Sequence, residues 1–283
     1  MDPLHWLDHP TLHRPVLVVA FEGWNDAGDA ASSAAHYLAR TWEARPFAEL
    51  DPEEFFDFTA TRPQVTLTDD MARKVEWPSN TLAAASVPGC GHDAVFFHGT
   101  EPQLRWRTFC ESVVGAAKQL RVELVISLGA LLAEVAHSKP VRVTGTAMDP
   151  ELVSRLGLQR SRYEGPTGIV GVLHDALSQA GIPSASMWAN VPHYLAQTPS
   201  PKATLALVSR TAELLGTEVT TTDLEIATSS YERQVTELVE ADEEASAYVA
   251  RLEEAGPEDE DGEPVVSGET LAAEVERFLK DHN

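Results

Sequence analysis

Basic residues are scarce in this chain. Lys and Arg number 21 against 44 Asp and Glu in 283 residues, a formal net charge of −23. A surface this acidic repels phosphate backbones and anionic headgroups, so neither nucleic acid nor membrane surfaces are expected partners. Cysteine is scarcer still. Cys90 and Cys110 have no CxxC partner and no ligand-like spacing to histidine, which excludes a disulfide framework and a zinc site and leaves two buried thiols in a reducing compartment. No run approaches the roughly 20 apolar residues of a membrane helix. The opening MDPLHWLDHP lacks the basic and apolar regions of a signal peptide, so a soluble, cytoplasmic protein is expected. Gly-x-Ser-x-Gly, His-Glu-x-x-His and GxGxxG are all missing, and acidic pairs such as Asp69–Asp70 show no metal-ligand pattern. No cofactor or metal is therefore expected, and spacing alone points to no reaction class.

What the chain does have is apolar residues at 43%, enough for a sizeable core. Short apolar runs recur at 16–21 (VLVVAF), 94–98 (AVFFH), 124–128 (LVISL), 141–144 (VRVT) and 185–189 (ASMWA), with a weaker strand at 81–87. Near-continuous strands of this kind suit a sheet covered on both faces. Helical patterns separate them at 26–42, 103–120, 166–180 and 201–215. The last opens on a proline and stops at Gly216, as helices tend to. The alternation predicts a three-layer α/β/α sandwich with a mainly parallel sheet. Residues 45–78 read as an irregular excursion, aromatic at Phe55, Phe56 and Phe58. That stretch either crosses the sheet edge or makes an oligomer contact.

Beyond Thr220 the pattern changes. One long helix is predicted over 222–255, with Leu224, Tyr231, Leu238, Ala245 and Leu252 every seven residues. Such a seam either forms a coiled coil or lies on the chain's own domain. Residues 256–268 (GPEDEDGEPVVSG) read as an acidic linker ahead of a short final helix at 269–280. The expected organisation is an α/β core over 1–216, a long acidic helix over 217–255, and an acidic tail over 256–283. From Thr217 onward there are 20 acids and 4 bases, so the negative charge is mainly a property of this C-terminal extension.

Ligands in open α/β sheets sit beyond the carboxyl ends of the strands. That rule selects Glu22, Trp24, Asn25 and Asp26 after the first strand, Gly99 and Glu101 after the second, and Gly129 after the third. It also selects His193 and Tyr194 after the last, with Glu164, Gly165 and Thr167 on a turn ahead of a helix. A carboxylate beside a histidine could exchange protons with a ligand, and the Gly165–Gly168 turn could receive an anion. Each residue also has a plainer role. Asn25 and Asp26 are good helix caps, Gly99 and Gly129 permit tight strand-to-helix turns, and His193 suits a hydrogen-bonded structural position.

Taken in order, FEGWNDAG (21–28), GTEPQLRW (99–106), SLGALLAEVAHSKPVRVTGTA (127–147), YEGPTGIVGVLHDA (163–176) and WANVPHYLAQTPSPKATLALV (188–208) resemble the PAC2 family. These are the homologues of proteasome assembly chaperone 2, in their actinobacterial branch. The resemblance covers roughly residues 14–255. It implies a phosphorylase/hydrolase-like core related to the purine nucleoside phosphorylase fold, homo-oligomers with trimers favoured, no established enzymatic activity, and proteasome subunits as partners. Archaeal relatives dock on proteasome rings through a C-terminal hydrophobic-Tyr-X motif, which FLKDHN at 278–283 does not provide. The leading expectation is a non-enzymatic interaction or assembly factor. One alternative is a small-molecule binder or hydrolase using the strand-end pocket. The other is a structural oligomer whose acidic arm recruits a basic partner.

Overall fold

The computed structural model describes residues 3–68, 71–161 and 163–254. The first apolar run forms β2 (Val16–Glu22), and the others form β7 (Asp93–Thr100), β8 (Leu124–Ala133) and β11 (Ser184–Pro192). These four lie side by side in the order β7-β2-β8-β11, all parallel. Their side chains alternate between two cores. Val16, Val18 and Ala20 join one cluster, while Leu17, Val19 and Phe21 join the other. Two-sided burial is why the run carries no polar residue before Glu22.

Helices cover both faces. On one side α1 (Ala30–Thr41) packs on β2 and β8, with α6 (Pro201–Leu215) against it. Ala30, Ala31, Ala34 and Ala35 line the buried side of α1, and such small side chains let a helix approach a sheet closely. On the other side α3 (Trp106–Leu120) and α5 (Ile169–Gln179) pack together. Phe109 of α3 meets Phe21, Phe55 and Phe97 at ring separations of 5.7, 5.2 and 5.7 Å.

The sheet is mixed rather than mainly parallel, which corrects the sequence expectation. It has nine strands in the order β1-β3-β6-β7-β2-β8-β11-β9-β10. The added strands are β1 (Leu4–Trp6), β3 (Arg45–Leu50), β6 (Asn80–Ser86), β9 (Val143–Ala147) and β10 (Gln159–Arg160). The pairs β1–β3, β3–β6, β6–β7 and β11–β9 are antiparallel, and β10–β9 is parallel. The β6–β7 connection, residues 87–92, is too short for the helical crossover a parallel pair requires.

Residues 45–78 are likewise more regular than expected. They hold β3, the short α2 (Pro52–Phe55), and a separate two-stranded ribbon of β4 (Gln64–Leu67) and β5 (Arg73–Glu76). The Asp51 carboxylate caps α2 through Glu53 N–H at 3.0 Å. This turn sends Phe55 and Phe56 into the core. A last short helix, α4 (Pro150–Leu156), lies beside β9 and β10.

The long C-terminal helix is two helices, α7 (Thr222–Glu240) and α8 (Glu243–Glu254). Asp242 breaks it. Its carboxylate accepts from Glu244 N–H at 2.9 Å and Ala245 N–H at 3.0 Å, so it starts a new helix instead of continuing the old one. α7 lies on α6 of its own chain and buries Tyr231 and Val235. Leu238 of the seven-residue seam is 72% exposed, so the seam is not a continuous buried stripe. The expected linker and final helix, 256–283, lie outside the described residues. No helix among the described residues is long and apolar enough to cross a membrane.

Candidate functional site

The chain leaves β2 at Glu22 and turns immediately. Asp26 N–H donates to the Gly23 carbonyl at 3.1 Å, and Ala130 N–H of β8 donates to the Asn25 carbonyl at 2.8 Å. The turn is thereby fastened across the strand ends. Asp26 is buried, and its Oδ1 accepts from Ala31 N–H at 2.7 Å and Ser32 N–H at 3.1 Å in the first turn of α1. Burial nevertheless pushes its carboxyl above the usual range, the hydrogen bonds from Ser32 and Ala31 opposing that only in part. Asp26 Oδ2 and Asn25 Nδ2 have no hydrogen-bond partner among the described residues.

Glu101 follows β7 and does for α5 what Asp26 does for α1. Its Oε1 accepts from Ile169 N–H, the first residue of α5, at 2.9 Å, and its backbone N–H donates to the Glu22 carbonyl at 2.9 Å. A carboxylate at a helix start meets both the unpaired N–H groups and the positive end of the helix dipole. The Gly165–Gly168 turn therefore has an anion of its own chain at its helix. Gly168 is closely surrounded: a Cβ there would lie 2.4 Å from Asn25 Nδ2, 2.9 Å from Glu101 Oε1 and 3.1 Å from the Trp24 ring. Trp24 leaves 56% of its surface open. Glu22 accepts from the Thr100 hydroxyl at 3.3 Å.

Gly99 and Gly129 are not at strand-to-helix turns. Both lie inside strands, where a neighbour takes the space of the missing side chain. A Cβ at Gly99 would lie 1.9 Å from the Ser79 carbonyl, and one at Gly129 would lie 2.3 Å from the Trp188 ring. Glu164, Gly165 and Thr167 lie on the loop before α5, Glu164 exposed and Gly165 held under the Tyr163 hydroxyl, which donates to the Pro166 carbonyl at 2.7 Å.

His193 and Tyr194 join a different cluster, beneath the C-terminal helices. The Tyr194 hydroxyl accepts from His137 N–H at 2.8 Å and lies 2.9 Å from His137 Nδ1. His137 Nε2 reaches the Thr236 hydroxyl of α7 at 3.1 Å. His193 lies 3.3 Å from the Tyr248 hydroxyl of α8 and 3.4 Å from the Ala133 carbonyl. Lys202 Nζ donates to the His137 carbonyl at 2.7 Å and pairs with Glu232 of α7 at 2.6 Å. Burial, and then Lys202, lowers the His137 pKa, while burial raises Tyr194 to about 12.

The sequence reading missed one buried polar relay. His174 of α5 places Nε2 2.7 Å from the Ser127 hydroxyl and Nδ1 2.8 Å from the Ser184 hydroxyl. Burial holds its pKa at about 4, so the ring is neutral and one serine donates to it while the other accepts. Ser127 is 1% exposed, which makes the relay a fastening of α5 to β8 and β11 and not a route to a ligand. Its sequence signal was Ser127 inside the apolar run LVISL. Among the described residues no group of three or more His, Cys, Asp or Glu side chains is placed to hold a metal.

The PAC2 family model matches residues 20–239. A PAC2 family protein of Streptomyces avermitilis is 45% identical, over 83% of this chain and 99% of that one, with a TM-score of 0.78. A Mycobacterium tuberculosis proteasome-assembly chaperone homologue is 44% identical over the same shares, with a TM-score of 0.75. A second M. tuberculosis protein, of unknown function, is 28% identical over 89% of each chain, with a TM-score of 0.80. No curated protein matches the chain. The strand-end turn, the Glu101 segment, the loop before α5 and β11 all lie within the matched span, and the chain belongs to the PAC2 family.

Proposed function

We propose that this protein is a non-enzymatic interaction or assembly factor that forms homo-oligomers, with trimers favoured, and engages proteasome subunits in the cytoplasm. The observation that carries the reading is how the candidate polar side chains are used. Asp26 holds the start of α1, Glu101 holds the start of α5, and His193 and Tyr194 bond beneath α7 and α8. They fall into two groups with different partners, as expected of groups that build a surface. The kinship to a proteasome-assembly chaperone homologue at 44% identity supports the partner class. The same reading takes residues 1–216 as a phosphorylase/hydrolase-like core, 217–255 as its helical extension and 256–283 as an acidic arm. Mixing the full chain with proteasome α- and β-subunits, followed by native mass spectrometry, tests it. The expected result is a complex with unassembled or ring-assembled subunits. No association, together with unchanged ring assembly, overturns it.

A second reading, small-molecule binding at the strand ends, is favoured by Asn25 Nδ2 and Asp26 Oδ2, buried atoms of adjacent residues that have no hydrogen-bond partner among the described residues. A thermal-shift screen of nucleosides and amides tests it. The expected mark is a stabilising compound whose effect disappears in Asn25→Ala, and a panel without one rejects the reading.

A further inference from the structure

The β4–β5 ribbon has one apolar and one polar face, as a half-buried sheet does, yet among the described residues nothing buries the apolar one. Paired residues of an antiparallel ribbon share a face, as do residues two apart on one strand. The register Val65↔Val75 and Leu67↔Arg73 therefore puts Val65, Leu67, Arg73 and Val75 on one face, and Trp77 follows in the same parity. Gln64, Thr66, Lys74 and Glu76 fall on the other. Apolar and polar residues thus alternate along β4, and Val75 and Trp77 keep the same parity about Glu76, the mark of a ribbon with one face covered. All eight strand residues are nevertheless exposed. Val65, Leu67, Met71, Val75 and Trp77 leave between 48% and 73% of their surface open. Trp77 has an aromatic neighbour in Phe58, ring centroids 4.9 Å apart. A two-stranded ribbon with no face buried is marginal in water.

We infer that this ribbon is the contact through which one copy of the chain meets another, apolar face on apolar face. The inference rests on the homo-oligomer reading above and names its surface. Two features identify a second copy as the occupant. First, the cover must itself be apolar and exposed. Of the twelve large apolar side chains that the described residues expose, Val65, Leu67, Val75 and Trp77 share this face and Met71 lies on its turn, so the best match to the face among them is the face itself. Like packs on like wherever identical faces meet on a symmetry axis, so three copies of the ribbon converging on the three-fold axis of a trimer bury one shared apolar cluster. Second, a chain of net charge −23 repels its own copies. Residues 62–77 carry three acids and three bases, so two copies approach here without adding local repulsion. Arg73 sits on the apolar face, and its long stem can lie along the contact with the guanidinium at the rim.

Sedimentation of the full chain at tens of micromolar reads this directly. The wild type is expected to run at a multiple of 30.8 kDa. Leu67→Lys/Val75→Lys is expected to run at 30.8 kDa with unchanged circular dichroism. Thr66→Glu, on the polar face opposite Lys74, should keep the wild-type mass. A crosslink then fixes the geometry. Under mild oxidation Val75→Cys should form a disulfide-linked dimer at several times the yield of Lys74→Cys. A monomeric wild type overturns the inference. So does an oligomer that survives the double lysine change, or equal crosslinking at the two positions. In the last two cases the homo-oligomer reading stands and only its surface is wrong, while association with proteasome subunits is measured separately.

Discussion

Two polar regions lie near the carboxyl end of β8, and they hold the molecule together in opposite ways. Around Asp26 and Glu101, single carboxylates close the first turns of α1 and α5. Each acts through backbone N–H groups, so the bond is local to one helix. Around His137 and Tyr194, side chains tie together elements far apart in sequence: the segment after β8, the α6 lysine, α7 and α8. The first region orders the body. The second fastens an extension to it, and the difference predicts how far damage spreads from each.

The first region stands on the deepest part of the core, so its foundation gives the largest effect. Phe109→Ala removes the ring that touches Phe21, Phe55 and Phe97. It should lower global stability by about 3–5 kcal/mol in chemical denaturation. A loss below about 1 kcal/mol would mean the aromatic cluster is not under β2's end as described. Tyr194→Phe should come next, at about 1–3 kcal/mol, because it strips His137 N–H of its buried acceptor. Hydrogen exchange should rise in α7 and α8 while α1 and α5 stay protected. Glu101→Ala is smaller, about 1 kcal/mol for a lost cap. Faster exchange should be confined to the first turn of α5. If both variants loosened the same elements, the two regions would be one.

Much of the fold was legible in the sequence because its cause is local. The run 16–21 reads as a strand since both of its faces are buried, and 201–215 reads as a helix since Pro201 and Gly216 mark its ends. Strand direction was less legible. It depends on where a chain returns, and β9's antiparallel place beside β11 is set by packing and not by its own residues. The break at Asp242 did have a signal, an aspartate followed by Glu243 and Glu244, the acids of a helix's first turn. The seven-residue pattern masked it. Of the candidate site, the strand-end rule picked two segments that the structure brings together, Glu22 to Asp26 and Glu101. It could not tell a carboxylate that faces a ligand from one that caps a helix. That depends on the distance from Glu101 Oε1 to Ile169 N–H, and 68 residues of chain separate the two.

The smallest effects are proton-linked, and there the two regions should move in opposite directions. Asp26 has its pKa raised by burial from an ordinary value near 3.8. A raised acid favours the fold when protonated, so its contribution is full below about pH 3.8 and is lost as pH climbs through the folded value. His137 has its pKa lowered by burial and by Lys202 from an ordinary value near 6.5, with Glu253 and Glu232 opposing. A lowered base favours the fold when neutral, so its contribution is full above about pH 6.5 and fades as pH falls toward the folded value. Unfolding free energies of Asp26→Asn and His137→Gln, each taken against wild type from pH 4 to 8, isolate the two slopes. The wild-type advantage over Asp26→Asn should shrink as pH rises from 4, and the advantage over His137→Gln should shrink as pH falls below 6.5. Acidification should then free α7 and α8 before it disturbs the turn after β2. Slopes of the same sign would mean that the N–H donors of Ala31 and Ser32 outweigh burial and hold the carboxylate ionised.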